Sequence, residues 1–179
     1  IGTSTALNAT VNYHACLTSN IAAITVTVTH VNDAQVANND SISTTEETSV
    51  SLNVTTNDTD VDGTIDVATV DLDPATAGIQ TTFTVANEGT YTVDNSGVVT
   101  FTPVLDFNGT ATAVNYTVND NGGLTSNIAT ITVTVTNVND APVAVTDTYT
   151  TAEDTAVVLL PLTGDSDLDG DAITVTSIN

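Results

Sequence analysis

Two short stretches carry most of the chain's usable chemistry: Asp58-Thr-Asp60-Val-Asp62-Gly63 and Asp165-Ser-Asp167-Leu-Asp169-Gly170. Carboxylates two residues apart, closed by a glycine that lets the backbone turn sharply, can curl round one hard cation and offer several oxygens at calcium-ligand distance. The pattern matches the first half of an EF-hand loop. No glutamate stands at the twelfth position and no helical periodicity follows, so the loop lies outside that class. One acidic glycine turn is commonly just solvated, but two in register, in a chain without a basic partner for them, point to calcium (Ca2+). Asp33, Asp140, Glu46 and Glu153 either join these sites or make separate ones.

The charge balance supports this reading. Lysine and arginine are absent against 22 Asp plus Glu, a formal charge of −22. Such a surface repels nucleic acid and anionic lipid and needs counter-charge, which multivalent cations at clustered carboxylates supply. The absence of lysine also excludes Schiff-base chemistry, a phosphate-binding P-loop and Lys–Asn isopeptide cross-links. No apolar run approaches the roughly 18 residues of a membrane span, so direct membrane insertion is not expected. With one cysteine, no intrachain disulfide can form. His14, Cys16 and His30 lack the third ligand or orienting group that a transition-metal site or a nucleophile needs, and their counterparts 107 residues on are Asn121, Gly123 and Asn137.

Those counterparts exist because the chain repeats. Residues 17–36 and 124–143 agree at 17 of 20 positions with an offset of 107, and the two acidic loops keep the same register. A period near 100 residues means tandem domains. The expected division is the closing part of one repeat at 1–33, a complete repeat at 34–140, and the opening part of a third at 141–179. Ile131-Thr-Val-Thr-Val-Thr136 alternates apolar and hydroxyl side chains with period two, the mark of a strand with one buried face. Similar strands are expected near Ala6–Asn12, Ile21–Thr29, Val36–Thr44, Ser49–Thr55, Asp66–Leu72, Thr81–Val85, Gly89–Val93, Val98–Thr102, Ala111–Val118, Ile128–Thr136 and Ala172–Ser177, with turns such as Asn108-Gly109 and Asp120-Asn-Gly-Gly123 between them. Short strands at this spacing argue an all-β chain of tandem immunoglobulin-like, Greek-key β-sandwich domains.

At this point the sequence resembles known families. Asn87-Glu-Gly89-Thr-Tyr91-Thr-Val93, Gly97-Val-Val-Thr-Phe101-Thr-Pro103, Phe107-Asn-Gly109-Thr110 and Tyr116-Thr-Val-Asn-Asp120 resemble the CshA-type fibril repeat of bacterial adhesins. The junction Asn137-Val-Asn139-Asp140-Ala-Pro-Val143, with Glu153 and the acidic loop after it, is similar to cadherin-like tandem repeats of large bacterial surface proteins. The cadherin-like resemblance implies that junction residues and acidic loops of adjoining domains share ions, here Asn139, Asp140, Glu153 and Asp120. At the first junction Tyr13-His-Ala-Cys16 replaces Asp120-Asn-Gly-Gly123, so a ligand from that loop is expected to be missing there.

The expected function is non-enzymatic: an extracellular, cell-surface stalk of an adhesin or fibril, its modules rigidified by calcium at the junctions and contacting neighbouring repeats of the same chain. Two alternatives stand beside it. The end halves of different copies could pair by strand exchange into a filament, or the middle domain could itself bind a ligand, a glycan or a host protein. The second is disfavoured by the absence of Trp and by Tyr and Phe at pattern-buried positions.

Overall fold

The computed structural model describes residues 7–10, 12–13, 17–18, 22–24 and 26–177. The short strands β1 (Leu7–Ala9), β2 (Asn12–Tyr13), β3 (Leu17–Thr18) and β4 (Ala22–Ile24) come first. The middle repeat follows with β5 (Asp40–Thr45), β6 (Val50–Asn53), β7 (Ile65–Asp71), β8 (Thr82–Val85), β9 (Gly89–Val93), β10 (Val98–Pro103), β11 (Gly109–Thr110), β12 (Val114–Asp120) and β13 (Ala129–Thr136). Among the described residues there is no helix, and so none long and apolar enough to cross a membrane. His14 and Cys16 lie outside the described residues.

The nine strands of the middle repeat form a two-sheet sandwich. One sheet runs β6-β10-β9-β8, antiparallel throughout. In the other, β12 pairs with β7 and with the first half of β13, β11 pairs with its second half, and β5 lies along β13 in parallel. Alternation explains the core: Ile131, Val133 and Val135 of β13 are buried while Thr134 and Thr136 face out. Across the sandwich they meet Tyr91, Val99 and Phe101, and the Tyr91 and Phe101 rings pack 4.6 Å apart at 47°. Buried Ala37, Ala111 and Ala129 complete the core.

The flanking repeats copy this architecture where partners are present. Leu7↔Ile24, Asn8↔Ala23 and Ala9↔Ala22 reproduce, 107 residues earlier, the register Val114↔Ile131, Asn115↔Thr130 and Tyr116↔Ala129. The bridge Val143↔Ser166 likewise reproduces Val36↔Thr59. Several expected strands are trimmed, Val36–Thr44 starting at Asp40, Ala111–Val118 at Val114 and Ser49–Thr55 shrinking to Val50–Asn53, and two depart further. Residues 26–30 are not in a strand, and Val26 and Val28 are exposed, because the described residues hold no strand that covers them as β5 covers their counterparts Val133 and Val135. Residues 172–177 form none either: their counterpart β7 is held by β12, and the described residues hold no such partner for them. Tyr149, placed inside by pattern, is 40% exposed for the same reason. A strand without a neighbour leaves its amide groups to water.

Candidate metal centre

Glu46 is the residue on which the second junction is built. It follows the last residue of β5, and its main-chain N–H donates to Thr136 O at 3.1 Å, extending the β5–β13 pairing by one step. Glu47, at φ 56°, then turns the chain towards β6. The Glu46 side chain is buried, and its Oε1 accepts the N–H of Val138 in the linker. From the far side comes the acidic loop of the third repeat: Asp169 Oδ2 accepts the N–H of Asp140, and Asp169 Oδ1 accepts the Asn137 amide, both at 2.6 Å. Asn137 is held in turn by the Asn108 amide at 2.9 Å.

These bonds bring three carboxylates from three segments together. One oxygen each of Glu46, Asp140 and Asp169 lies within 4.8 Å of the others, and a polar pocket of about 400 Å³ lined by Glu46, Asp106, Asn108, Asn137, Leu168 and Asp169 opens at the same place. Burial, then the charges of Asp169, Glu46, Glu47 and Asp167, pushes the Asp140 carboxyl above its usual range. Asp169 is held below its range by the Asp140 N–H and the Asn137 amide. The cluster thus concentrates negative charge that no lysine or arginine in the chain can answer. A calcium ion answers it well: two oxygens on opposite sides of one calcium lie about 5 Å apart, and the donors are the hard oxygens it prefers. Glu46, Asp140 and Asp169 would hold the ion.

The first junction is the same joint with different details. Asp62 Oδ2 accepts the Asp33 N–H at 3.1 Å and lies 2.7 Å from His30 Nε2, so the imidazole takes the place that the Asn137 amide has at the second junction. Asp60 Oδ1 accepts the N–H groups of Asp62 and Gly63 at 3.0 and 2.7 Å, tying the loop on itself. Asp60 Oδ2 and Asp62 Oδ1 are buried without a donor, a deficit a cation satisfies. A Cβ at Gly63 would lie 2.6 Å from Asn121 Oδ1 and 2.8 Å from Asp60 Oδ2, so those side-chain ends would have to shift to admit it.

Several candidate residues sit elsewhere than their spacing suggests. Asp58 turns away from Asp60 and Asp62: it accepts the Asn38 N–H at 2.7 Å and lies 3.1 Å from Tyr116 Oη, which is itself 3.2 Å from Asp40. Burial pushes Asp58 up, and Asp40 up to about 6. Asp165 repeats the arrangement, accepting the Val145 N–H at 2.7 Å, while Asp167 Oδ1 accepts the N–H groups of Asp169 and Asp171. Asp120 lies at the first junction, not the second. Its Oδ2 accepts the Asn32 amide at 2.6 Å. Burial pushes its carboxyl up, but the N–H of Leu124, the Asn32 amide and the N–H groups of Gly122 and Gly123 outweigh this and hold it low. The loop that Tyr13-His-Ala-Cys16 replaces therefore serves the leading end of its own domain, so the first junction keeps its ligand loop. Glu153 is exposed in the third repeat, and the glutamate that joins Asp140 is Glu46. Asn139 is exposed, its amide on Asp140 O at 3.1 Å. Asn137 escapes a search restricted to carboxylates, although its exchange for His30 between repeats marks the position.

Residues 32–137 match the model of the bacterial cadherin-like domain, more than half of the chain. The chain belongs to that family. Residues 139–179 match the bacterial Ig domain, and no curated protein matches the chain. Cadherin-like domains generally bind calcium, and both families are typical of bacterial surface proteins, where they act as structural and adhesive modules. The cadherin-like chain is accordingly an adhesin-type surface module of β-sandwich architecture.

Proposed function

We propose that this cadherin-like chain is part of an extracellular stalk, whose complete module at 34–140 is joined to its neighbours by calcium, and that it performs no catalysis. The observation that carries the reading is the triad Glu46, Asp140 and Asp169: one carboxylate from the body of a module, one from the linker and one from the next module. An ion held by all three ties consecutive modules into one unit. The partners in this reading are the neighbouring repeats of the same chain. The strand-exchange alternative is weakened by the fold. Residues 1–29 correspond to β11–β13 and residues 141–179 to β5–β7, so two end halves would rebuild one sheet yet lack the counterparts of β8, β9 and β10.

Small-angle scattering on residues 1–179 tests the proposal. Calcium is expected to narrow the distribution of dimensions to an extended form, chelator to broaden it, and Glu46→Gln to give the broad form in both. Profiles indifferent to calcium would remove the basis for a calcium-stiffened stalk.

A further inference from the structure

β5 and β13 are the only parallel pair among the described strands, in register from Asp40 opposite Ile131 to Thr45 opposite Thr136. The chain comes into the domain at the Asp40 end and leaves at the Thr136 end. Tension along the chain therefore drags the two strands in opposite directions along their shared axis, and the bonds between them are strained together. An antiparallel pair pulled open from its end would lose its bonds one at a time.

Both ends of the pair are fastened by side chains that take the part of main chain. At the leading end the Asn127 amide donates to Ala37 O at 2.9 Å, and Asn127 Oδ1 accepts the Ala37 N–H at 3.0 Å. This two-bond pairing extends the ladder three residues ahead of Asp40. Ala37 is 4% exposed, so water competes poorly for these bonds. Asn39 Oδ1 adds a bond from the Thr130 N–H at 2.9 Å. At the trailing end, Glu46 fastens Thr136 and Val138 as described, and Thr136 Oγ1 donates to Thr44 O at 3.1 Å.

We propose that the β5–β13 pair is the tension-carrying element of the module and that Asn127 is the clasp of its leading end. Neither claim requires a cation, so the idea stands apart from the calcium reading. The test is constant-force single-molecule unfolding of the whole chain held by its two ends, in calcium and in chelator. Asn127→Ala is expected to raise the unfolding rate under force about tenfold, the equivalent of about 1.4 kcal/mol of barrier, in both buffers. Leu52→Ala, on β6 of the other sheet, is the control; it should lower the melting temperature at least as much yet change the rate under force far less. If both variants speed forced unfolding in proportion to their thermal destabilisation, or if Asn127→Ala leaves the rate unchanged, the pair has no special share in bearing tension. Asn39→Ala, at the exposed bond beside the clasp, serves the same comparison should Asn127→Ala not fold.

Discussion

Asp62 does for the first linker what Asp169 does for the second. Each accepts, through Oδ2, the main-chain N–H of the linker aspartate 29 residues before it, Asp33 at 3.1 Å and Asp140 at 2.6 Å. The joint is therefore part of the repeat, and its chemistry can be perturbed one oxygen at a time.

Calcium should stabilise the chain through the triad. A ligand that binds only the folded form at a hundredfold excess over its Kd adds about 2.7 kcal/mol. Glu46→Gln keeps the shape and an acceptor oxygen for Val138 while removing one charge, so most of the calcium-dependent rise in melting temperature should vanish. Magnesium should substitute poorly because it demands octahedral geometry and dehydrates reluctantly. Calorimetry in calcium, magnesium and chelator decides; identical traces in calcium and chelator would contradict the assignment.

Without calcium, stability should increase on mild acidification. Asp40, Asp58 and Asp140 have folded pKa values raised above the ordinary 3.8, Asp40 to about 6. Such groups contribute stability that is complete below the unfolded value and is lost as pH climbs through the folded one. In chelator the melting temperature at pH 5 should exceed that at pH 7.5, and Asp40→Asn should flatten the slope. Below about pH 4 the trend should turn over, because Asp120 and Asp169 are lowered and lose their contribution as pH falls through their folded values. A melting temperature that drops steadily from pH 7.5 to 5 in chelator would be the contrary result.

Tyr91 is fully buried and its hydroxyl has no partner; burial, then the charge of Glu88, pushes the phenol up to about 12. Removing an unsatisfied buried donor relieves a cost of about 1–3 kcal/mol. Tyr91→Phe should therefore be neutral or stabilising in urea denaturation, although most changes to a core aromatic destabilise. A loss above about 1 kcal/mol would mean the hydroxyl is satisfied in solution.

Gly89→Ala should act in the opposite direction. A Cβ there would lie 2.5 Å from two ring carbons of Phe101 and 2.6 Å from Thr102 O, and the main-chain oxygen cannot swing aside. Overpacking of this kind costs about 1–3 kcal/mol or more. An alanine variant as stable as the parent in the same denaturant series would show that the sheet yields there.

Much of this was legible in advance, where the signal was local. The alternation of Ile131 to Thr136 announces one buried face, and that face is observed. The shared offset of the two acidic loops announces equivalent surroundings, and Asp58 and Asp165 do make the same bond. Non-local relations were harder to read. Glu46 and Asp169 are 123 positions apart, and only the parallel return of β13 beside β5 brings the buried glutamate to the next module's loop. Spacing groups Asp58 with Asp60 and Asp62, but a strand-to-loop turn points successive carboxylates to different sides, and Tyr116, 58 residues away, claims it. The repeat pattern suggests the second junction for Asp120, which lies at the first, because a linear repeat does not say at which end of a sandwich a loop emerges.

The asymmetry of the joint has a genetic corollary. Glu46 receives the next module, whereas the loop ending in Asp62 grips the linker from the one before, so each unit carries a socket behind and a plug ahead. Such a coupling is heterologous, head to tail, so each unit can take another of the same kind behind it. Duplicating a 107-residue segment of the gene in frame creates a new joint whose two sides already fit. Length can then change by whole modules without any compensating substitution.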